Sequence, residues 1–307
     1  MFSANFKLMF FMPSLLIVFL VVLLVLLLSP KNVTAQSDLV YSPLPLTNPN
    51  SVIAQSMDIV QYIEQNLDLK VEIQYEHDYA TILGKFARDE IHLVHLGPLP
   101  FIMLKALAPH AEPVIFFREP DGRTSYTCSL ATAIDNSEDP ATTQGPIALP
   151  QPLSTCGFLT TSHLLRAYDT NLQHLPYTFL DSHEAVAQAL VRGEFALGGL
   201  KSAIGQSYDQ IGLQLLKQGP ELPGFAMVAN ARVMDEKLRT ELATILTEIP
   251  DDIYSQWQGL GQWGMSKAGS EDYCDLLLLD GIEDIPDCGD LDCTLLKNAL
   301  EDICAIP

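Results

Sequence analysis

From Gln36 onward the chain alternates short apolar runs with helix-length amphipathic runs, a rhythm that restricts it to layered α/β architectures. Asp38 to Pro45 holds a first strand. Ser51 is placed to cap a helix whose apolar residues Val52, Ile53, Met57, Val60, Ile63 and Leu67 recur mostly at three-to-four spacing. Val71, Ile73 and Tyr75 alternate as in a strand. Ile82, Leu83 and Phe86 share one helical face within Tyr79 to Arg88. Ile91 to Leu96 is strand-like, Leu99 to Leu107 helical, and Pro113 to Phe117 a fourth strand. Such alternation implies a parallel sheet covered by helices.

A second, smaller unit repeats the rhythm. Tyr126 to Ile134 reads as a long strand, followed by a polar loop to Gln144. Strand Ile147–Leu149, helix Gly157–Tyr168, strand Tyr177–Leu180, helix His183–Arg192 and strand Phe195–Leu200 come next. Phe225 to Arg232 leads back as a strand, and Met234 to Ile249 is a helix. Two α/β lobes joined by crossing strands make a clamshell. The expected divisions are 36–127 and 225–250 for the first lobe, 128–224 for the second, and 251–307 for a C-terminal extension. Ligands of such sheets sit at the carboxyl ends of strands, so the loops after Leu96, Pro150, Leu180 and Leu200 are the candidates.

Residues 1–35 direct the chain out of the cytoplasm. Lys7 precedes Leu8–Leu28, 21 residues without a charge, and Val33-Thr34-Ala35 offers a small-residue cleavage site before Gln36. The run exceeds the ~7–15 residues of an ordinary signal core and reaches the ~20 that span a bilayer. It is therefore either a cleaved signal peptide or an uncleaved membrane anchor. Six cysteines suit that compartment: Cys128, Cys156, Cys274, Cys288, Cys293 and Cys304. The last four lack the paired C-x-x-C of common zinc sites, so disulfides are expected. The extension carries thirteen acidic and two basic residues, and the whole chain a formal charge of −21. Such a surface repels phosphate backbones, which excludes nucleic acid as the main partner.

Four stretches resemble the phosphonate/phosphite/phosphate-type periplasmic binding proteins of ABC importers, the PhnD-like family. They are His77-Asp78-Tyr79-Ala80, Leu96-Gly97-Pro98-Leu99-Pro100-Phe101, Pro152-Leu153-Ser154-Thr155-Cys156-Gly157-Phe158-Leu159, and Ser182-His183-Glu184-Ala185-Val186. The resemblance runs from about Asp38 to Ile249. It implies a type II clamshell, each lobe a sheet flanked by helices, joined by two crossover strands. The implied function is capture of a small oxyanion outside the cytoplasm for an ABC permease, without catalysis or cofactor. The ligand-binding residues it implies are Tyr79, Pro98, Phe101, Ser154, Thr155, Cys156, Gly157 and His183. Ser154, Thr155 and nearby amides would hold the oxyanion at a helix start, with His183 donating to it and Tyr79 reaching in from the first lobe.

Elementary chemistry agrees, because Ser-Thr at a helix start supplies hydroxyls and unpaired amides together. The departures bear on the ligand. Pro100 and Phe101 stand where the family has Ser and Tyr, Cys156 replaces a Ser, and Ala196 stands where an Asp is common. The last change argues against an aminoalkyl phosphonate. Lys201 could offset ligand charge. His92 and His95, three apart on a strand, fall on opposite faces with no third ligand, so no metal is assigned. Cys156 beside His183 is expected to be a small loop residue rather than a nucleophile. The rival to a solute receptor is a membrane-anchored sensor or interaction protein with a degenerate cleft.

Overall fold

The computed structural model describes residues 38–46, 48–288 and 290–305. The apolar run Leu8–Leu28 and the cleavage position before Gln36 lie outside the described residues. Among the described residues no helix is long and apolar enough to cross a membrane.

The first lobe begins with β1 (Leu39–Ser42), α1 (Pro49–Leu67), β2 (Val71–Ile73), α2 (Tyr79–Ala87), β3 (Leu93–Leu96), α3 (Pro98–Leu107) and β4 (Ala111–Phe117). Helix α1 starts two residues before Ser51. The Asn48 side chain accepts the Ser51 amide at 3.2 Å and Pro49 takes the first helical position, so the cap is Asn48. The second lobe holds β5 (Ser125–Ala133), β6 (Ile147–Leu149), α4 (Phe158–Arg166), β7 (Tyr177–Phe179), α5 (His183–Val191), β8 (Leu197–Lys201), α6 (Ser202–Ser207) and β9 (Leu213–Pro223). The chain then returns through β10 (Ala226–Asn230), α7 (Glu236–Thr247), α8 (Asp251–Tyr254), β11 (Met265–Lys267) and α9 (Leu295–Cys304).

Two sheets result, ordered β11-β4-β10-β3-β1-β2 and β7-β6-β8-β5-β9. Both are mixed rather than parallel. In the first, β1 runs parallel to β2 and β3, but β10 is antiparallel to β3 and β4. In the second, β6 is parallel to β7 and β8, but β5 is antiparallel to β8 and β9. The reversed strands are β5, at the crossing into the second lobe, β10, at the crossing back, and the edge strand β11 of the C-terminal extension. Strand β9 went unread because Gly219-Pro220 signals a turn. It is an edge strand, where proline is tolerated.

The C-terminal extension is built into the body. β11 pairs with β4 at the edge of the first sheet. Tyr273 is fully buried, its ring 4.1 Å from Phe101 and 5.7 Å from Phe116. On the second lobe, Arg166 meets Asp284 at 2.7 Å, and the Asp280 amide donates to His163 Nδ1 at 3.3 Å. Disulfides Cys274–Cys304 and Cys288–Cys293 close the extension on itself. One hydrophobic cluster runs through Phe86 and Leu104 of the first lobe, Leu149 and Leu164 of the second, and Leu300 of α9.

Candidate functional site

The carboxyl ends of β3, β6, β7 and β8 face a cavity of about 270 Å³ between the lobes, whose lining includes Tyr79, His95, Ser154, Thr155, His183 and Lys201. The second lobe supplies the donors. After β6 the chain turns sharply at Leu153, which sits in the left-handed region at φ 64°, a strain of about 1–2 kcal/mol for a non-glycine residue. That turn presents Ser154 and Thr155. Gly157 caps α4 without a side chain, so the amides of the first turn meet no side-chain acceptor there. The Thr160 hydroxyl donates to the Thr155 carbonyl at 2.6 Å, and the Thr161 hydroxyl to the Cys156 carbonyl at 3.1 Å. These bonds engage two oxygens that would otherwise repel an anion.

The loop after β7 is built alike. Asp181 lies at φ 65°, and the Ser182 hydroxyl accepts the Ala185 amide at 3.0 Å, starting α5 at His183. The Lys201 amide donates to His183 Nδ1 at 3.2 Å, which leaves the neutral ring its proton on Nε2. Burial, with help from the Lys201 charge, holds this imidazole down to about 4. His183 is thus a neutral donor at neutral pH.

The first lobe contributes walls and charge. At the start of α3, Pro98 and Pro100 have no amide hydrogen. The Leu99 amide donates to Thr155 Oγ1 at 3.0 Å, and the Phe101 amide to the Gly97 carbonyl at 3.2 Å. Lys201 Nζ pairs with Glu119 at 2.6 Å and lies 5.2 Å and 5.4 Å from the ring centres of Tyr126 and Phe225. Burial raises the Tyr79 and Tyr126 hydroxyls well above the ordinary phenol, so both are protonated donors.

Of the eight residues expected at the site, Tyr79, Ser154, Thr155 and His183 line the cavity. Pro98 is buried in α3, and its neighbours Gly97 and Pro100 line the cavity instead. Phe101 turns away from the cleft, because Tyr273 of the extension offers it a ring to stack on. Cys156 is bonded to Cys128, and the thiol needed for a ligand contact or a nucleophile is gone. Gly157 serves close packing: a Cβ there would meet the Ser154 carbonyl at 2.9 Å. Ala196 lies before β8, its carbonyl taken by Thr132 and Asn136, and does not line the cavity. The charged residues that line the cavity are Arg118, Glu119, Glu184 and Lys201, the last at the other end of that strand.

His95, Glu119, Tyr126 and Phe225 also line the cavity and were not read from sequence as site residues. His95 carried a usable signal, since it stands one residue before the end of β3, next to a loop already singled out. Among the described residues no cluster of His, Cys, Asp or Glu could hold a metal ion.

A family model described as the periplasmic substrate-binding protein of a phosphonate ABC transporter matches residues 41–273. Among solved structures, the chain is similar to PhnD1 of Prochlorococcus marinus in complex with methylphosphonate. The identity is 17% and the TM-score 0.65, over 80% of this chain and 96% of that one. A binding-protein component of an ABC phosphonate transporter from Pseudomonas aeruginosa matches at 14% identity and a TM-score of 0.64, over 87% and 95%. A Xanthomonas citri protein bound to chloride matches at 14% and 0.65, over 86% and 98%. At these identities the likeness establishes the two-lobed fold.

Proposed function

Because the chain belongs to the phosphonate-binding family of ABC-transporter periplasmic substrate-binding proteins, transport receptors and not enzymes, we propose that it captures a small phosphonate-, phosphite- or phosphate-like oxyanion outside the cytoplasm and presents it to an ABC permease. One observation carries this reading. Ser154 and Thr155 at the start of α4, and His183 at the start of α5, line a single cavity. A tetrahedral oxyanion needs several converging donors, and two helix starts provide hydroxyl, imidazole and amide hydrogens together.

Ser154, the Phe158 and Leu159 amides and His183 Nε2 hold the oxygens in this reading, the Thr160 amide being bonded to the Thr155 carbonyl, and the Tyr79 hydroxyl reaches them from the first lobe. Neutral donors suit a chain of charge −21, because they seat an anion by local geometry instead of by the long-range field. Leu8–Leu28 serves in this reading as export signal or anchor, and either role carries the receptor outside the cytoplasm.

A thermal-shift panel tests the proposal. Methylphosphonate, the molecule held by the Prochlorococcus marinus neighbour, heads it, with phosphite, phosphate, sulfate and an alkylsulfonate. A ligand that binds only the folded state raises the melting temperature by mass action. A rise with a phosphorus oxyanion that disappears in Ser154→Ala with His183→Ala supports the site. No rise with any phosphorus compound counts against the function, and a rise that survives both substitutions counts against the site.

A further inference from the structure

A second chamber of about 290 Å³, lined by the first lobe and by residues 258–262, adjoins the interlobe cavity. The two share the walls Leu44, Leu46, His95, Gly259 and Leu260. Ser154 and His183 lie only on the interlobe side. The polar groups of the second chamber are of another kind. Gln55, Ser56, Gln258 and Gln262 line it, and no charged side chain does so among the described residues. Its floor is fixed in place: the Leu260 amide donates to the Gln55 carbonyl at 2.9 Å, and the Gln258 amide to Asp58 at 3.1 Å. Gly259 fits only because it has no side chain, since a Cβ would lie 2.4 Å from the Gln55 carbonyl.

His95 stands where the chambers meet. It is 8% exposed, and its ring is held edge-on by Phe117 at 4.8 Å and Phe225 at 5.5 Å. Its Nε2 has no hydrogen-bond partner among the described residues. A buried imidazole left unpartnered is costly, and a group that pairs with it recovers that cost. A methyl- or hydrogen-bearing phosphorus oxyanion at the helix starts has no atoms to carry into the second chamber. The Ser56 hydroxyl donates to the Val52 carbonyl at 2.9 Å and the Gln55 amide nitrogen faces Ser51 at 3.4 Å, so Ser56 serves as an acceptor and the Gln258 and Gln262 side chains supply the amides. These groups match neutral hydroxyl or amide groups and offer no counter-charge to a second anion or a cation.

We propose that the natural ligand is a phosphonate or phosphate monoester with an uncharged, hydroxyl- or amide-bearing arm, and that the arm passes His95 into the chamber lined by Gln55, Ser56, Gln258 and Gln262. This rests on the oxyanion reading above and narrows the class of ligand.

Calorimetry on the whole exported chain with four probes sharing one headgroup tests it. The probes are methylphosphonate, propylphosphonate, 2,3-dihydroxypropylphosphonate and 3-phosphonopropionate. The dihydroxy probe is expected to bind about tenfold tighter than propylphosphonate, the scale of one or two new hydrogen bonds. The carboxylate probe is expected to show no such gain. Gln262→Trp, which fills the chamber, and Gln262→Ala, which only removes an amide, should each reduce the gain while methylphosphonate affinity stays within about twofold. Equal binding of the dihydroxy and propyl probes, an equal gain for the carboxylate, or a gain unaffected by both variants overturns the arm but leaves the oxyanion reading standing. No binding of any probe overturns both.

Discussion

The hydroxyl of Thr155 accepts the amide hydrogen of Leu99 across the cleft at 3.0 Å, joining the donor loop of one lobe to the first helix turn of the other. Both residues are buried. Thr155 is therefore partly an interlobe latch. Thr155→Val keeps the shape and strands a buried amide. It is expected to cost about 1–3 kcal/mol in denaturant unfolding, while Thr155→Ser stays near the parent. Equal stability of the two variants would show that the bond contributes nothing.

Lys201 and Glu119 form an ion pair across the cleft, whose lining also carries Arg118 and Glu184. Side-chain exposures of 16% and 18% place it between a surface pair and a buried one. Glu119→Gln leaves Lys201 uncompensated above Tyr126 and Phe225, with an expected loss of about 1–3 kcal/mol. Adding Lys201→Met should restore much of that loss, because the stranded charge is then removed. The single variant should also bind oxyanions more tightly, with a steeper salt dependence, since Lys201 becomes free to meet them. Unfolding curves and calorimetry at two ionic strengths check both effects.

The lobes and their helices were legible because each obeys local rules. Helices α2 and α5 begin at Asp78 and Ser182, side chains that accept the amides of Thr81 and Ala185, and their apolar periodicity follows at once. That Ser154, Thr155 and His183 would face the cavity was legible for the same reason, since they stand near helix starts after strands. What sequence could not give depends on distant pairing. The reversed strand β10 takes its direction from its neighbours. Phe101 leaves the cleft only because Tyr273, far along the chain, packs against it. Cys156 looks like a loop residue until Cys128 is found beside it. Glu119 reaches the cleft only once β4 and β8 are brought together.

The Cys128–Cys156 disulfide ties strand β5 to the donor loop. Both half-cystines are buried, and the bridge closes a sequence separation of 28 residues. A loop of that length is worth about 2–4 kcal/mol to folding. Replacing both residues by Ala should lower stability by that order. It should also weaken oxyanion binding, because Ser154 and Thr155 lose the anchor at Cys156, directly after them in the chain. Full affinity in the double variant would mean that Leu153 and the α4 threonines hold the loop unaided.

Acid should destabilise the protein before its carboxylates titrate. An unfolded histidine takes up a proton near 6.5, whereas burial, aided by the Lys201 charge, holds His95 down to about 3 and His183 to about 4. Between those values the unfolded chain binds more protons than the native one, so stability falls as pH drops from about 6.5 to about 4.5. Each histidine adds at most about 1.4 kcal/mol per pH unit, and His183, more open to the cavity, adds less. Native carboxylates held low by their partners, such as Asp89 beside Asn230 and Arg232, add their own loss only further down. His95→Phe should flatten the slope in that window, read from urea midpoints at several pH values. An unchanged slope would place the acid sensitivity elsewhere.

Tyr273 decides whether the extension is part of the body. Its ring fills the space between Phe101 and Phe116, yet its hydroxyl is buried with no hydrogen-bond partner among the described residues. Burial raises that hydroxyl far above the ordinary phenol, so it stays neutral and its cost is one of lost hydrogen bonding. The ring and the hydroxyl therefore act in opposite directions. Tyr273→Phe keeps the packing and removes the unpaired group, with an expected gain of up to about 1 kcal/mol. Tyr273→Ala empties a site walled by two aromatic rings, with an expected loss of about 3–5 kcal/mol. Because α9 packs on α3, that loss should appear as a lower melting temperature of the whole protein and not as a separate early transition. An independent transition in Tyr273→Ala, with the main one unmoved, would show that residues 251–305 fold as a separate unit.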